Sequence, residues 1–277
     1  MSRPGAFLLL TRPGNVGIAA LAVAVGGWTG ARGISDWVTM GWAMAAAALI
    51  TAAGNTLNDV ADVAVDRINK PHRPLPSGAV NRTAATLFAI LLFAAGLAAT
   101  IPLPAGCRLI AVVAVGGVVL YDLWGKGQPL IGNFLVALIS SFAFPFGSIA
   151  VARWPWGLIP AGLAFLFHFA REIVKDLEDM EADRVVDLRT FPLGAGKGAA
   201  VGVARGTLIL LAAALFVPWA AGWLGIGYLV VAVAGVGIPV LYVAFALDRD
   251  ATAERYGQLA TILKWDMLVG LAAIVTG

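Results

Sequence analysis

An all-α polytopic membrane protein, with nine transmembrane helices in one bundle and residues 1–277 forming a single domain, is the fold class this sequence predicts. Three observations predict it. Apolar residues make up 60% of the chain and charged residues 13%, with a mean hydropathy of +0.87, whereas soluble domains lie near about 45–50% apolar. The apolar residues fall in runs of about 18 to 25, long enough to cross a hydrocarbon layer of about 30 Å. The basic residues between those runs segregate to one side.

The first expected span, 14–31, follows Arg12 and Pro13. No basic start, short apolar core and small-residue cleavage site can be picked out before it, so this span is expected to stay in the mature chain. The second, 37–58, runs into the acidic stretch Asn58, Asp59, Asp62 and Asp66. The third, 82–102, begins beyond a basic segment. The fourth, 107–124, holds Cys107 near its start and Tyr121 near its end, and a lone cysteine excludes an intramolecular disulfide and a thiolate metal cage. The fifth is 130–151. The sixth, 155–175, starts among the belt residues Trp154 and Trp156, holds His168 as an expected hydrogen-bonded core residue, and leads into a second acidic stretch, REIVKDLEDMEAD. The seventh and eighth, 200–222 and 225–246, are joined so closely that they should form a tight antiparallel hairpin. The ninth, 258–276, follows a solvated loop at Asp248, Arg249 and Asp250. Frequent Gly suits helices that pack through small faces.

With the N-terminus cytoplasmic, the segments on that side carry 16 of the 19 Lys and Arg, leaving Arg32, Arg108 and Arg153 opposite. This bias predicts a multi-pass cell-membrane protein with N-terminus in, C-terminus out and both acidic stretches facing the cytoplasm. Spans 2 and 6 both end in acids followed by basic residues, and four spans separate them, a weak internal repeat of a four-helix unit. Carboxylates gathered beside hydrocarbon are costly and point to function.

On a helix, Asn58, Asp62 and Asp66 stand at i, i+4 and i+8 and share one face, with Asp59 on its flank. Glu172, Asp176, Asp179 and Asp183 stand at i, i+4, i+7 and i+11, again one face, while Glu178 and Glu181 should point to solvent. Like charges so spaced repel. Oxygen-only ligands without His or Cys favour a hard cation, and Mg²⁺ takes one or two carboxylates with water and substrate phosphate in its remaining positions. Arg67, Lys70, Arg73, Lys126, Arg171 and Lys175 lie beside the acids and suit a phosphate substrate. Lys70 reads equally as a residue of the positive-inside pattern. An allylic diphosphate, with a polar head at the surface and an isoprenoid tail among the helices, would satisfy both parts of such a site.

The pattern Asn58-Asp59-x-x-Asp62-x-x-x-Asp66, followed by Arg73-Pro74-Leu75-Pro76-Ser77-Gly78, resembles the first signature of the UbiA superfamily of intramembrane prenyltransferases. Asp176 and Asp179-x-x-x-Asp183, followed by Arg189-Thr190-Phe191-Pro192, is similar to the second. The stretches Pro129 to Asn133, Pro145 to Gly147 and Arg171 to Asp176 resemble the archaeal ether-lipid branch. Ala182 and Asp187 depart from the family, which usually carries glycine there.

The resemblance implies a fold of nine transmembrane helices and transfer of a geranylgeranyl group from its diphosphate to the hydroxyl of geranylgeranylglyceryl phosphate. It implies one Mg²⁺ on Asn58, Asp62 and Asp66, a second on Asp176, Asp179 and Asp183, and Asp59 in support. Arg67, Lys126, Arg73 and Lys175 would neutralise the diphosphate, with Arg171 and Asn133 also binding substrate. Tyr121 would stand at the allylic carbon or the phosphate, or equally anchor the interface. The implied partners are an isoprenyl diphosphate donor, a lipid-phosphate acceptor and membrane lipid, with no nucleic acid and no obligate protein partner. An aromatic acceptor is the alternative within the class. A secondary transporter would also use repeats and buried charges, but near the midplane. A CDP-alcohol phosphotransferase would need a DG and AR pattern that does not occur.

Overall fold

In the computed structural model, the described residues 3–29, 33–34 and 36–277 are predominantly helical, and no strand occurs among them. Arg32 and the last residues of the first expected span lie outside the described residues. Helices α1 (Arg3–Thr11) and α2 (Pro13–Trp28) meet at 46°. Arg12 forms the bend with a left-handed backbone, φ 51°, and Pro13 starts α2 where its missing N–H costs nothing. Helix α3 (Trp37–Ala61) is capped by Asp36, whose carboxylate accepts from the Thr39 amide at 2.9 Å. The short α4 (Val63–Asn69) follows, then α5 (Arg82–Ala98), capped by Asn81, and α6 (Ala105–Leu123).

The fifth expected span is divided at Phe142 into α7 (Ile131–Ser141) and α8 (Ala143–Ala150), because Pro145 removes the donor that would bond back to Ser141. Helix α9 (Leu158–Val185) has 28 residues, about 42 Å at 1.5 Å each. It therefore outruns the hydrocarbon, and the second acidic stretch rides on its projecting end. Beyond α10 (Phe191–Ala195), α11 (Lys197–Ala214) stops before Pro218, which starts α12 (Val217–Ala220). The eighth expected span is α13 (Ile226–Val231), a π-helical turn (Ala232–Gly237) and α14 (Ile238–Ala246). Pro239 cannot donate to the preceding turn, and the wider turn absorbs the fault. Helix α15 (Ala253–Val275) closes the chain, capped by Thr252.

All nine predicted segments contain helix. Six helices, Trp37–Ala61, Ala105–Leu123, Ile131–Ala150, Lys197–Ala220, Ile226–Ala246 and Ala253–Val275, have the length and composition of a span, and the bent α1–α2 pair makes a seventh. Helix α5 has only 17 residues, and α9 brings Arg171, Glu172 and Lys175 into the end of its apolar stretch.

Buried side chains form two main clusters, one around Met40, Ile50, Phe93 and Phe146, the other around Ile173, Leu208, Val240 and Leu263. Helices α2 and α8 touch backbone to backbone between them: a Cβ on Gly147 would lie 1.9 Å from the Val23 carbonyl oxygen. That approach closes one wall of the space between the clusters.

Candidate functional site

A cavity of about 900 Å³ runs between the two clusters. Its inner part is lined by apolar residues such as Ile50, Phe144, Phe167 and Val236, and its polar end by Asn58, Asp62, Asp66, Asp176, Asp179 and Asp183. The helix breaks at Asp62, yet the phase of the first cluster survives. The Asp62 amide donates to the Asn58 carbonyl at 2.9 Å and the Asp66 amide to the Asp62 carbonyl at 2.8 Å, which keeps all three on one face. Helix α9 carries the facing acids without interruption.

The two acidic faces are joined directly where Asn69 Nδ2 donates to Asp179 Oδ1 at 3.1 Å. Lys126 pairs with Asp62, Arg73 Nη1 with Asp66 Oδ2 at 2.7 Å, and Lys175 Nζ with Glu178 Oε2 at 2.5 Å and Asp179 Oδ2 at 3.4 Å. Asn133 Nδ2 donates to Asp176 Oδ2 at 2.8 Å. Its place depends on a close approach, since a Cβ on the preceding Gly132 would sit 2.5 Å from the Gly125 carbonyl oxygen. Tyr121 lines the cavity with Lys126 Nζ 5.8 Å from its ring centroid. Lys70 lines the same end, and burial, followed by the Lys175 charge, holds it below the usual lysine range. Buried Asp183 makes no side-chain hydrogen bond or ion pair among the described residues.

Several sequence expectations change. Asp59 is buried outside the cavity lining, where it pairs with Arg12 and, at 3.3 Å, with Arg73. There it anchors two cations. Arg67 is exposed and lines no part of the cavity, because α4 turns it outward. Glu178, expected in solvent, lines the cavity and engages Lys175. His168 also lines the cavity and makes no side-chain hydrogen bond among the described residues, its ring lying edge-on to Phe167.

Two residues of the site escaped sequence reasoning. Arg12 reaches across from the α1–α2 bend to Asp59, with Asn58 Oδ1 at 3.4 Å from its Nη2. Its only signal was an Arg-Pro pair interrupting apolar sequence. Asp122, on α6, accepts from Asn58 Nδ2 at 3.1 Å and so fixes which way the Asn58 amide is turned, while its own Oδ2 is buried without a partner among the described residues. Nothing in the spacing of a lone Asp beside Tyr121 announces that role.

Asp187 keeps the glycine-like conformation its position demands, φ 55°. The Leu188 amide donates to the Asp183 carbonyl at 2.9 Å and the Asp187 amide to the Arg184 carbonyl at 3.3 Å, which is the Schellman pattern that ends many helices on glycine. Asp tolerates the left-handed region better than most side chains. Ala182 is buried in the helix itself.

Among the described residues, no three His, Cys, Asp or Glu side chains converge tightly enough to hold an ion unaided. Oxygen donors on two facing walls suit Mg²⁺, which draws only one or two carboxylates from protein and completes its shell with water and phosphate. Asn58, Asp62 and Asp66 on one wall and Asp176, Asp179 and Asp183 on the other would hold it.

Residues 19–265 match the UbiA prenyltransferase family. The chain is similar to the digeranylgeranylglyceryl phosphate synthase of Halobacterium salinarum, 38% identical over 97% of this chain and 95% of that protein. It is also similar to the synthase of the same name from Methanopyrus kandleri, 38% identical over 98% of each. Among solved structures, one titled for digeranylgeranylglyceryl phosphate synthase in membranes superposes with a TM-score of 0.79 at 29% identity, covering 100% of this chain and 99% of that one. A UbiA homologue from Archaeoglobus fulgidus bound to DMAPP and Mg²⁺ gives 0.68 at 19% identity, covering 97% of this chain and 98% of that one. That last likeness is one of fold.

Proposed function

The chain belongs to the UbiA prenyltransferase family, and from that premise we propose that it moves a geranylgeranyl group from geranylgeranyl diphosphate to the free hydroxyl of geranylgeranylglyceryl phosphate, with Mg²⁺ as its cation. The observation that carries this reading is the pairing of an acidic, cation-ringed end with a long apolar interior in one cavity. The relatives named digeranylgeranylglyceryl phosphate synthase, matched over nearly the full chain, support the acceptor.

In this reading all nine helical segments cross the membrane, with the N-terminus and the site on the cytoplasmic side and residues 1–277 acting as one catalytic domain. The charge bias supports that direction, and the 42 Å length of α9, about 12 Å beyond the hydrocarbon, supports a crossing that projects its acids into the cytoplasm.

When bound, Mg²⁺ would supply positive charge that screens the diphosphate and makes it a better leaving group. Asn58, Asp62 and Asp66, with Asp176, Asp179 and Asp183, are the residues that would hold it. Arg73, Lys126 and Lys175 already stand among these carboxylates, positioned to meet negative charge as it develops on the diphosphate. Tyr121 lies against Lys126 where the allylic carbon would pass, and the apolar walls keep water from the cation as the carbon–oxygen bond opens. The acceptor oxygen forms the new ether bond to that carbon, and its proton leaves with the diphosphate.

The purified protein, given Mg²⁺, geranylgeranyl diphosphate and either geranylgeranylglyceryl phosphate or an aromatic acid, should yield only the diether product by mass spectrometry. Asp62→Ala and Asp183→Ala should each abolish transfer in a folded variant. Exclusive aromatic product would overturn the acceptor, and near-normal activity of either variant would overturn the site.

A further inference from the structure

Helices α9 and α15 pack against each other near the polar end of the cavity, where a Cβ on Gly257 would lie 3.0 Å from Glu178 Oε1. From that contact the helices run inward with opposite chain direction. Seven residues inward along α15 stands Lys264, and seven inward along α9 stands Arg171. Each is about 10 Å deeper than the contact at 1.5 Å per residue. Seven residues fall only about 20° short of two full turns, so both side chains return to the faces that meet. Both line the cavity.

These two cations differ from three at the polar end. Lys126, Arg73 and Lys175 are each paired with an acid of the site. Lys264 makes no hydrogen bond or ion pair among the described residues, and Asp266, two positions on, lines the same cavity but is not paired with it. Arg171 gives Nη1 to Glu172 at 2.9 Å, but its Nε is buried without a partner among the described residues. Cations within membrane helices are costly and mark substrate or ion sites, and a guanidinium with an ammonium lining one cavity suits a phosphate.

We propose that Arg171 and Lys264 form a second anion subsite, which binds the phosphate monoester of the acceptor while the diphosphate of the donor occupies the acidic end. The assignment rests on the acceptor proposed above. Arg171 lies five residues inward of Asp176, about 7 Å along α9, so the two anions are neighbours without sharing a site. An acceptor pinned by its phosphate there would present the hydroxyl on the adjacent glycerol carbon toward the donor's allylic carbon.

The test uses the full chain with Mg²⁺ and geranylgeranyl diphosphate, and compares geranylgeranylglyceryl phosphate with the same lipid lacking phosphate. Lys264→Gln should raise the acceptor KM on the order of tenfold, the scale of one lost charge-assisted bond, with the donor KM held within about twofold. The preference for the phosphorylated acceptor should shrink by the same factor, and Lys264→Arg should restore it. If Lys264→Gln does not fold, Arg171→Gln reads the same split between the two KM values. An unchanged acceptor KM, or equal rises for donor and acceptor, would overturn the subsite. Failure of the unaltered protein to use the glyceryl phosphate at all would instead sink the proposed function, and that result is read before any variant is made.

Discussion

Replacing Asp59 by Asn separates an anchor from a ligand. The carboxylate is 3% exposed and lies outside the cavity, where it receives Arg12 and Arg73 together. A hydrogen bond to a charged group contributes about 1.5–3 kcal/mol, so two such bonds set an upper limit of about 6 kcal/mol. The Arg12 and Arg73 side chains are 29% and 23% exposed, so both guanidiniums recover part of their hydration, and the Asn amide keeps one weaker acceptor. The expected net loss is about 2–4 kcal/mol, less than for an ion pair wholly sealed from water. Unfolding of the purified variant in detergent should register that loss, while Mg²⁺-dependent donor binding is retained, since no ligand has been removed. A variant of unaltered stability that no longer binds Mg²⁺ would refute the argument and return Asp59 to the metal.

Two further outcomes follow from the same geometry. Asp122→Ala frees the Asn58 amide to rotate, and the Mg²⁺ needed for donor binding, measured by titration calorimetry, should rise about 10- to 100-fold, as for other partners that orient a ligand; no change would show that Asn58 needs no orienting. Asp187→Gly removes a side chain from a left-handed position and should stabilise the protein by about 1 kcal/mol with transfer rate unaltered; lower stability would show that the carboxylate makes its own contribution there.

Most of the bundle could be read from the chain because the long apolar runs and their punctuation are local properties. The same is true of the second cluster, whose phase on α9 holds unbroken from Glu172 to Asp183. What could not be read depends on where elements meet. Spacing puts Asp59 on the flank of the ligand face, and helical angle alone does not reveal that Arg12 arrives from another helix to claim the carboxylate. Arg67 satisfied a pattern of cations after acids, but the turn of α4 decides which of Arg67, Lys70 and Arg73 faces inward. The divisions at Phe142 and in Ala232–Gly237 follow from Pro145 and Pro239, prolines that hydropathy averages over. Asp122 was hidden for a simpler reason: one Asp in an apolar helix acquires a role only from the Asn58 opposite it.

The two acidic walls are unequal mechanically. One is a single rod of 28 residues that runs from the tail region into the acids, and the other is jointed at Asp62, with only the seven residues Val63–Asn69 beyond the joint. A rod seated in the core moves as a whole or not at all, whereas the seven-residue segment is held by fewer bonds, chiefly the Asp62 and Asp66 amides and the Arg73–Asp66 pair. If a bulky diphosphate requires the walls to part, α4 would be the wall that moves, and the Asn69–Asp179 bond would have to open with it. Hydrogen exchange that quickens across Val63–Asn69 before α9 responds would be the signature of such a jaw.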